Sequence, residues 1–301
     1  MPQSRQSSHV LGIALVVAST VFFALAGIFT KSTSADPWTI ACWRGLIAWL
    51  VIGAYVLVRR SSNVQSLRLG WRGWALATMA AAMSVLFIAS FKQTYVANVT
   101  VIYATVPFMA AAIDWAVLRV APRARTLVTA LACLVGVATI VAAGIGGDRL
   151  AGDALALAMT FCCAIYLVMV RAYRDTPAVW AAAVGSLLLF ILGWAVTDPL
   201  AISARDFQVV AAFGVSFAAA FILWTEGARL LAAAEVGLLG AAEVPLAILF
   251  AWLILAEAPP LYSILGGAIV LIAVFAHASR DIWASGGQGR SREARAPAAG
   301  E

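Results

Sequence analysis

Residues 10–30, VLGIALVVASTVFFALAGIFT, hold no charged side chain. As a helix rising about 1.5 Å per residue, the run crosses the roughly 30 Å of hydrocarbon in a bilayer. It contains Ala24-Leu25-Ala26, which mimics a signal-peptidase site. The run nonetheless exceeds the roughly 7 to 15 apolar residues of a secretory signal, so it reads as a retained transmembrane helix. Segments of the same kind recur at residues 37–59, 71–92, 96–118, 126–144, 150–171, 176–197, 206–231, 234–255 and 260–280, and with the first, at 9–31, they make ten spans. The chain has 301 residues and is 63% hydrophobic and 11% charged. Soluble domains run at about 45–50% apolar and roughly 25% charged. No water-soluble fold of this size hides so much apolar surface, and the sequence predicts an all-α integral membrane protein in a lipid surround.

The net charge of +6 lies in short gaps between apolar runs and forms no basic stripe suited to nucleic acid. Counted by side of the membrane, 15 Lys and Arg fall in the N-terminus, the even-numbered loops and the C-terminus, against 4 on the other side, with Arg44 left inside a span. The positive-inside rule then puts both termini in the cytoplasm of a cell (inner) membrane protein. Residues 1–8 read as a cytoplasmic N-terminus and 281–301 as a disordered cytoplasmic tail, rich in Gly, Ala and Arg from Gly286 onward.

The spans repeat. A shift of 140 residues matches Gly12 with Gly152, Thr20 with Thr160, Pro37 with Pro177, Gly45 with Gly185 and Gly53 with Gly193 without a gap, laying spans 1 and 2 on spans 6 and 7. A shift of 138 superposes Val106-Pro107 on Val244-Pro245, and Pro122 on Pro260. Residues 9–144 and 150–280 therefore form two five-helix repeats. Five is odd, so the second repeat enters the membrane from the opposite face. Inverted repeats are a recurring architecture of secondary transporters, because two related bundles rocking about a central site expose it alternately to each side.

Pro107 and Pro245 fall near the middle of spans 4 and 9. Neither supplies the N–H that bonds the carbonyl four residues back, so the carbonyls of Tyr103 and Ala241 need other partners or a water-lined cavity. Symmetry between the two favours hinges over incidental kinks. Arg44 lies about 10 Å inside span 2, where a charge must face protein. It either steadies packing or uses its fork to hold a carboxylate. Glu243, two residues before Pro245, approaches the same central layer from the other side, as a partner for Arg44 or a carrier of a coupling proton. Trp43, Tyr103, Tyr166 and Trp224 lie deep, and either pack between helices or offer flat walls to a planar ligand. Thr20 and Thr160, paired by the repeat, complete the expected lining of a cavity among spans 1, 3, 4, 6, 8 and 9. Gly45, Gly53, Gly185 and Gly193 read as sites of close helix approach.

The chain resembles the EamA-like family of the drug/metabolite transporter superfamily over residues 9–280. The resemblance is carried by the inverted repeat, Trp43-Arg44-Gly45, Ala242-Glu243-Val244-Pro245-Leu246 and Leu255-Ala256-Glu257-Ala258-Pro259. The last is similar to the family's G-E-x-P turn, with Ala256 in place of Gly. In the first half Thr105 and Arg119 depart from the acidic pattern. The resemblance implies a ten-helix solute transporter, of the kind that mostly exports amino acids, related metabolites or drugs, with an aromatic amino-acid exporter as one analogue. An uptake carrier or facilitator of the same fold is the rival, followed by a non-transporting membrane subunit. No enzyme is expected: HExxH, GxSxG and intramembrane His pairs are absent from the sequence, and Cys42, Cys133, Cys162 and Cys163 lack metal or redox spacing. No cofactor is expected either, and the chain is expected to work as a monomer or weak dimer on a small-molecule substrate.

Overall fold

A computed structural model of the chain describes residues 2–60, 68–119, 124–144, 148–173, 175–231 and 233–293. Pro122, Arg123, Arg174 and residues 294–301, which entered the repeat, the charge count and the tail, lie outside them. The helices are α1 (Pro2–Ala24), α2 (Ala26–Lys31), α3 (Pro37–Arg60), α4 (Gly70–Gln93), α5 (Val96–Tyr103), α6 (Val106–Leu118), α7 (Ala124–Gly144), α8 (Leu150–Ala172), α9 (Ala178–Val196), α10 (Ala204–Ala228), α11 (Ala233–Ala241), α12 (Glu243–Leu255) and α13 (Leu261–Glu293). Among the described residues eight stretches are long and apolar enough to cross a membrane, and the shorter apolar stretches Thr126–Ala142 and Leu261–His277 complete ten. Three spans are each built from two helices: α1 with α2, α5 with α6, and α11 with α12.

The ends of the spans follow from local chemistry. Pro37 opens α3 and its repeat-mate Pro177 stands just before α9, where a missing N–H costs nothing. Asp36 accepts from the N–H groups of Trp38 (2.9 Å) and Thr39 (3.1 Å), and Ser203 Oγ from that of Asp206 (3.0 Å), each satisfying a donor that a helix start leaves free. The α6 and α12 helices end alike, on Arg119 (φ 58°) and Ala256 (φ 52°). Among the described residues these are the non-glycine residues with positive φ. Structurally, then, Arg119 pairs with Ala256, one residue away from the Arg119–Glu257 pairing that aligning the prolines suggests.

Contacts at the helix ends fix the topology. His9 near the start of α1 meets Glu235 at the start of α11 (3.2 Å), and Arg59 at the end of α3 meets Glu226 at the end of α10. These define a proximal end, where α1 begins. At the distal end Thr94, after α4, meets Asp153 at the start of α8 (2.6 Å), and Lys31, closing α2, meets Glu257 after α12. The α1 helix starts proximally and its repeat-mate α8 distally, so the repeats are inverted. The pseudo-two-fold relation holds in detail: Gly12 packs on Leu230 and Leu231 at the end of span 8, and Gly152 packs on Gln93 and Thr94 at the end of span 3.

Across the axis α3 packs on α9 and α7 on α13; off it, α4 lies on α8 as α1 lies on α10. In lipid such contacts rest on close approach of backbones at small residues. A Cβ on Gly45 would stand 2.5 Å from Ser186 O, one on Gly185 2.6 Å from Ala77 O, and one on Gly193 2.5 Å from Cys42 Cβ. Gly53 departs from the expectation, since nothing lies within 4 Å of a Cβ there. The α13 helix runs on to Glu293.

Candidate functional site

The breaks in spans 4 and 9 stand where the prolines remove backbone donors. The chain tightens just before each proline: Thr105 N–H donates to Ile102 O (3.1 Å) and Ala242 N–H to Leu239 O (3.2 Å), both across three residues where an α-helix spans four. Thr105 Oγ1 adds a bond to Ile102 O (2.7 Å). Span 1 breaks at Leu25 without a proline, and its repeat-mate α8 runs unbroken.

The second break delivers Glu243 to the interior as the first residue of α12. The segment is deeply enclosed, with Tyr103 and Cys163 within electrostatic reach of the carboxylate. Glu243 nevertheless keeps accessible surface, and among the described residues no hydrogen bond or ion pair engages its carboxylate. Tyr103, closing α5, and Tyr166 on α8 flank Cys163, whose Sγ lies 3.5 Å from Met83 Sδ and 3.7 Å from Met159 Sδ. Trp224 lies flush on Gly240 of α11, where a Cβ would stand 2.5 Å from its ring, and meets Phe23 edge-on at 6.5 Å.

Four expected cavity residues are placed elsewhere. Arg44 is only 2% exposed, so it lines no open space. It donates through Nη2 to Ser84, and its guanidinium sits 4.4 Å from the Phe217 ring and 5.1 Å from Phe213. Two aromatic faces offset part of the cost of burying the charge, at about 2 kcal/mol for a desolvated cation–π contact. Arg44 does not reach Glu243, and its Nε is buried without a hydrogen-bond partner. Trp43 donates through Nε1 to Pro199 O (2.9 Å) and stands edge-on to Phe207 at 5.1 Å, which makes it packing among α3, α9 and the loop to α10. The hydroxyls of Thr20 and Thr160 are buried and donate to Val16 O and Ala156 O at 2.7 Å, within their own helices. The symmetry that paired these threonines is real, and its content is helix packing.

The two ends of the bundle differ. At the distal end Glu257 receives the Val96 N–H (2.6 Å) and the Lys31 ammonium, tying α12, α5 and α2 together. Lys92 donates to Thr33 O, and a polar recess walled by Ser34, Asp36, Thr39, Thr197 and Asp206 is satisfied by its own bonds. The α5 helix packs on α12. At the proximal end, among the described residues, the other halves of the same spans pack chiefly on other helices: α6 on α8 and α7, and α11 on α13 and α1. Proximal ion pairs bridge other elements, Asp114 on α6 to Arg171 on α8 (2.7 Å) and Glu226 on α10 to Arg59 on α3, with Arg229 pairing Glu226 within the end of α10 (2.9 Å). Lys31, Cys163 and Asp153 escaped the sequence reading as site residues. The signal for Asp153 is a lone acid, next to Gly152, in a run otherwise uncharged as far as Arg171.

A family profile matches this sequence twice, over residues 10–142 and 150–277, and it is that of the EamA-like transporter family. No curated protein matches the sequence. A protein of known crystal structure is similar in fold, at 19% identity and a TM-score of 0.64, over 91% of this chain and 97% of that one. The two profile matches coincide with the two inverted halves seen in the structure, each of five spans, and on that ground the chain belongs to the EamA-like transporter family, as a multi-pass membrane protein.

Proposed function

We propose that the protein is a secondary transporter that exports amino acids, aromatic ones among them, or related small metabolites across the cell (inner) membrane by alternating access. The observation that carries the reading is the difference between the two ends of spans 4 and 9, joined distally through α5 and α12, whereas proximally α6 and α11 pack chiefly on other helices. Between them lies the unpaired carboxylate of Glu243. With both termini cytoplasmic, as the distribution of Lys and Arg favours, the proximal opening faces the cytoplasm, where an exporter loads. Glu243 receives the ammonium group of a zwitterion, Tyr103, Tyr166 and Trp224 wall its apolar part, and Pro107 and Pro245 mark the hinges. The protein works as a monomer or weak dimer.

Counterflow by purified protein in liposomes, against a panel of amino acids and related metabolites, tests this reading. Glu243→Gln is expected to lower turnover of an accepted zwitterion at least tenfold at unchanged protein yield. Turnover unaltered by that change removes Glu243 from the site, and no counterflow of any zwitterion removes the substrate class. Arg44→Ala is expected to alter yield or melting without altering turnover per folded molecule; a fall in that turnover returns Arg44 to the site.

A further inference from the structure

Asp153, in the first turn of α8, has no accessible surface. Its Oδ1 accepts hydrogen bonds from Thr94 Oγ1 (2.6 Å) and Asn98 Nδ2 (2.9 Å), and Ser263 donates to Asn98 Oδ1. Thr94, Asn98 and Ser263 are themselves at most 2% exposed. The other carboxylate oxygen, Oδ2, is buried and has no hydrogen-bond partner.

No neighbouring cation bonds to Oδ2. Arg149 lays its guanidinium 3.8 Å from the Tyr95 ring centre, Lys92 donates to Thr33 O, and Lys31 pairs with Glu257. The other ionisable groups facing the cluster, Tyr95, Tyr262 and Glu257, bring no positive charge. On α6, Asp114 is paired with Arg171 at the proximal end, and the basic residue of α7, Arg125, belongs to that end as well. The C-terminal end of α4 also abuts the site: a Cβ on Gly152 would stand 2.6 Å from the Gln93 carbonyl carbon. The negative end of a helix dipole thus approaches a buried acid. The N-terminus of α8 favours an anion there but leaves Oδ2 without a bond. A bare ionised oxygen sealed from water is strongly unfavourable without compensation.

We propose that Asp153 Oδ2 binds one small cation, a proton or a sodium ion, held among α8, α5 and the C-terminal end of α4. Both sources supply the same chemistry, a unit positive charge on a buried oxygen. Because Thr94 and Asn98 also bond this carboxylate, the cation and the distal half of span 4 are held together, and parting α5 from α8 uncovers the site. The site has no counterpart at the other end. The repeat places Ile13 opposite Asp153 and Val236 opposite Asn98, so a single cation is taken from one face. Its use in coupling rests on the transport reading, whereas its occupancy is measurable without any substrate.

The test uses the full chain in liposomes, titrated with sodium chloride against choline chloride at fixed ionic strength and, without sodium, across pH. The melting midpoint and the infrared band of a protonated carboxylic acid are followed, in Glu243→Gln as well, to keep that carboxyl out of the band. A midpoint that rises saturably with sodium and loses the response in Asp153→Asn identifies sodium. A carboxylic-acid band that vanishes in Asp153→Asn identifies the proton. Thr94→Ala, which keeps the carboxylate but removes a donor to it, is expected to weaken the sodium response about tenfold where the cation is sodium, and to strengthen the acid's hold where it is a proton, because the anion loses a hydrogen bond; it carries the test should Asp153→Asn fail to fold. A midpoint indifferent to sodium, with no band lost in Asp153→Asn, overturns the proposal and leaves Asp153 as a bare anion on a helix N-terminus.

Discussion

The distal and proximal ends of the bundle are built from related halves and differ in what they hold. Gly12 and Gly152 each seat a helix start on the end of a neighbouring span. Beyond those glycines the chemistry diverges: Ile13 and Val236 stand proximally where Asp153 and Asn98 stand distally. Glu257 ties three half-helices at the distal end, while α6 and α11 pack chiefly on other helices at the other. The repeat therefore preserves how backbones approach and leaves the side chains free to make one end polar and closed. Symmetry predicts packing positions well and functional ones poorly, as Thr20 and Thr160 show.

The difference between the ends is open to attack. The largest effect is expected where the distal closure is cut. Lys31 and Glu257 are 18% and 13% exposed, so Lys31→Ala leaves a mostly buried carboxylate and should destabilise the protein by roughly 3 kcal/mol, read from a denaturant or thermal midpoint. An unchanged midpoint would make the pair incidental. Next come the glycines: Gly45→Val should cost roughly 2 kcal/mol through overpacking on Ser186, whereas Gly53→Ala should be neutral or slightly stabilising, because nothing faces it. Asp36→Asn removes charge from the cap of α3 and should cost about 1 kcal/mol at neutral pH. Burial opposes ionisation of Asp36, but hydrogen bonds from Thr39, Trp38 and Thr197 outweigh it and hold the carboxyl below its usual range. That contribution is therefore full above about pH 4 and fades as the pH falls below it, so the gap between wild-type and variant midpoints should narrow in acid. The smallest effect is expected at the left-handed helix ends, where Ala256→Gly relieves backbone strain and should stabilise by up to about 1 kcal/mol.

Much of the fold was legible because the bilayer imposes it. A lipid-exposed backbone must close its own hydrogen bonds, so apolar length alone marks the spans, and an odd number of spans per repeat dictates inversion. The positions of the breaks in spans 4 and 9 were also legible, since Pro107 and Pro245 remove defined donors. The break at Leu25 has no such mark. Depth was readable for Arg44 and Glu243, but facing was not. A helix places residues one position apart about 100° around its axis, and in an apolar run no amphipathic pattern says which side meets protein. Arg44 and Trp43 are thus found in helix packing, and Glu243 in the interior. The ties at Glu257 and Asp153 join residues far apart in the chain, and no local pattern reports such partners.

The central proposal, an interior reached from the proximal end and sealed at the distal end, is tested most directly at Cys163, which lies near Glu243. With Cys42, Cys133 and Cys162 replaced by Ala, vesicles of known orientation are treated with a small membrane-impermeant thiol reagent. Modification from the face bearing the termini, with protection from the other face, is the expected result; equal modification from both faces, or none from the terminus-bearing face, would contradict it.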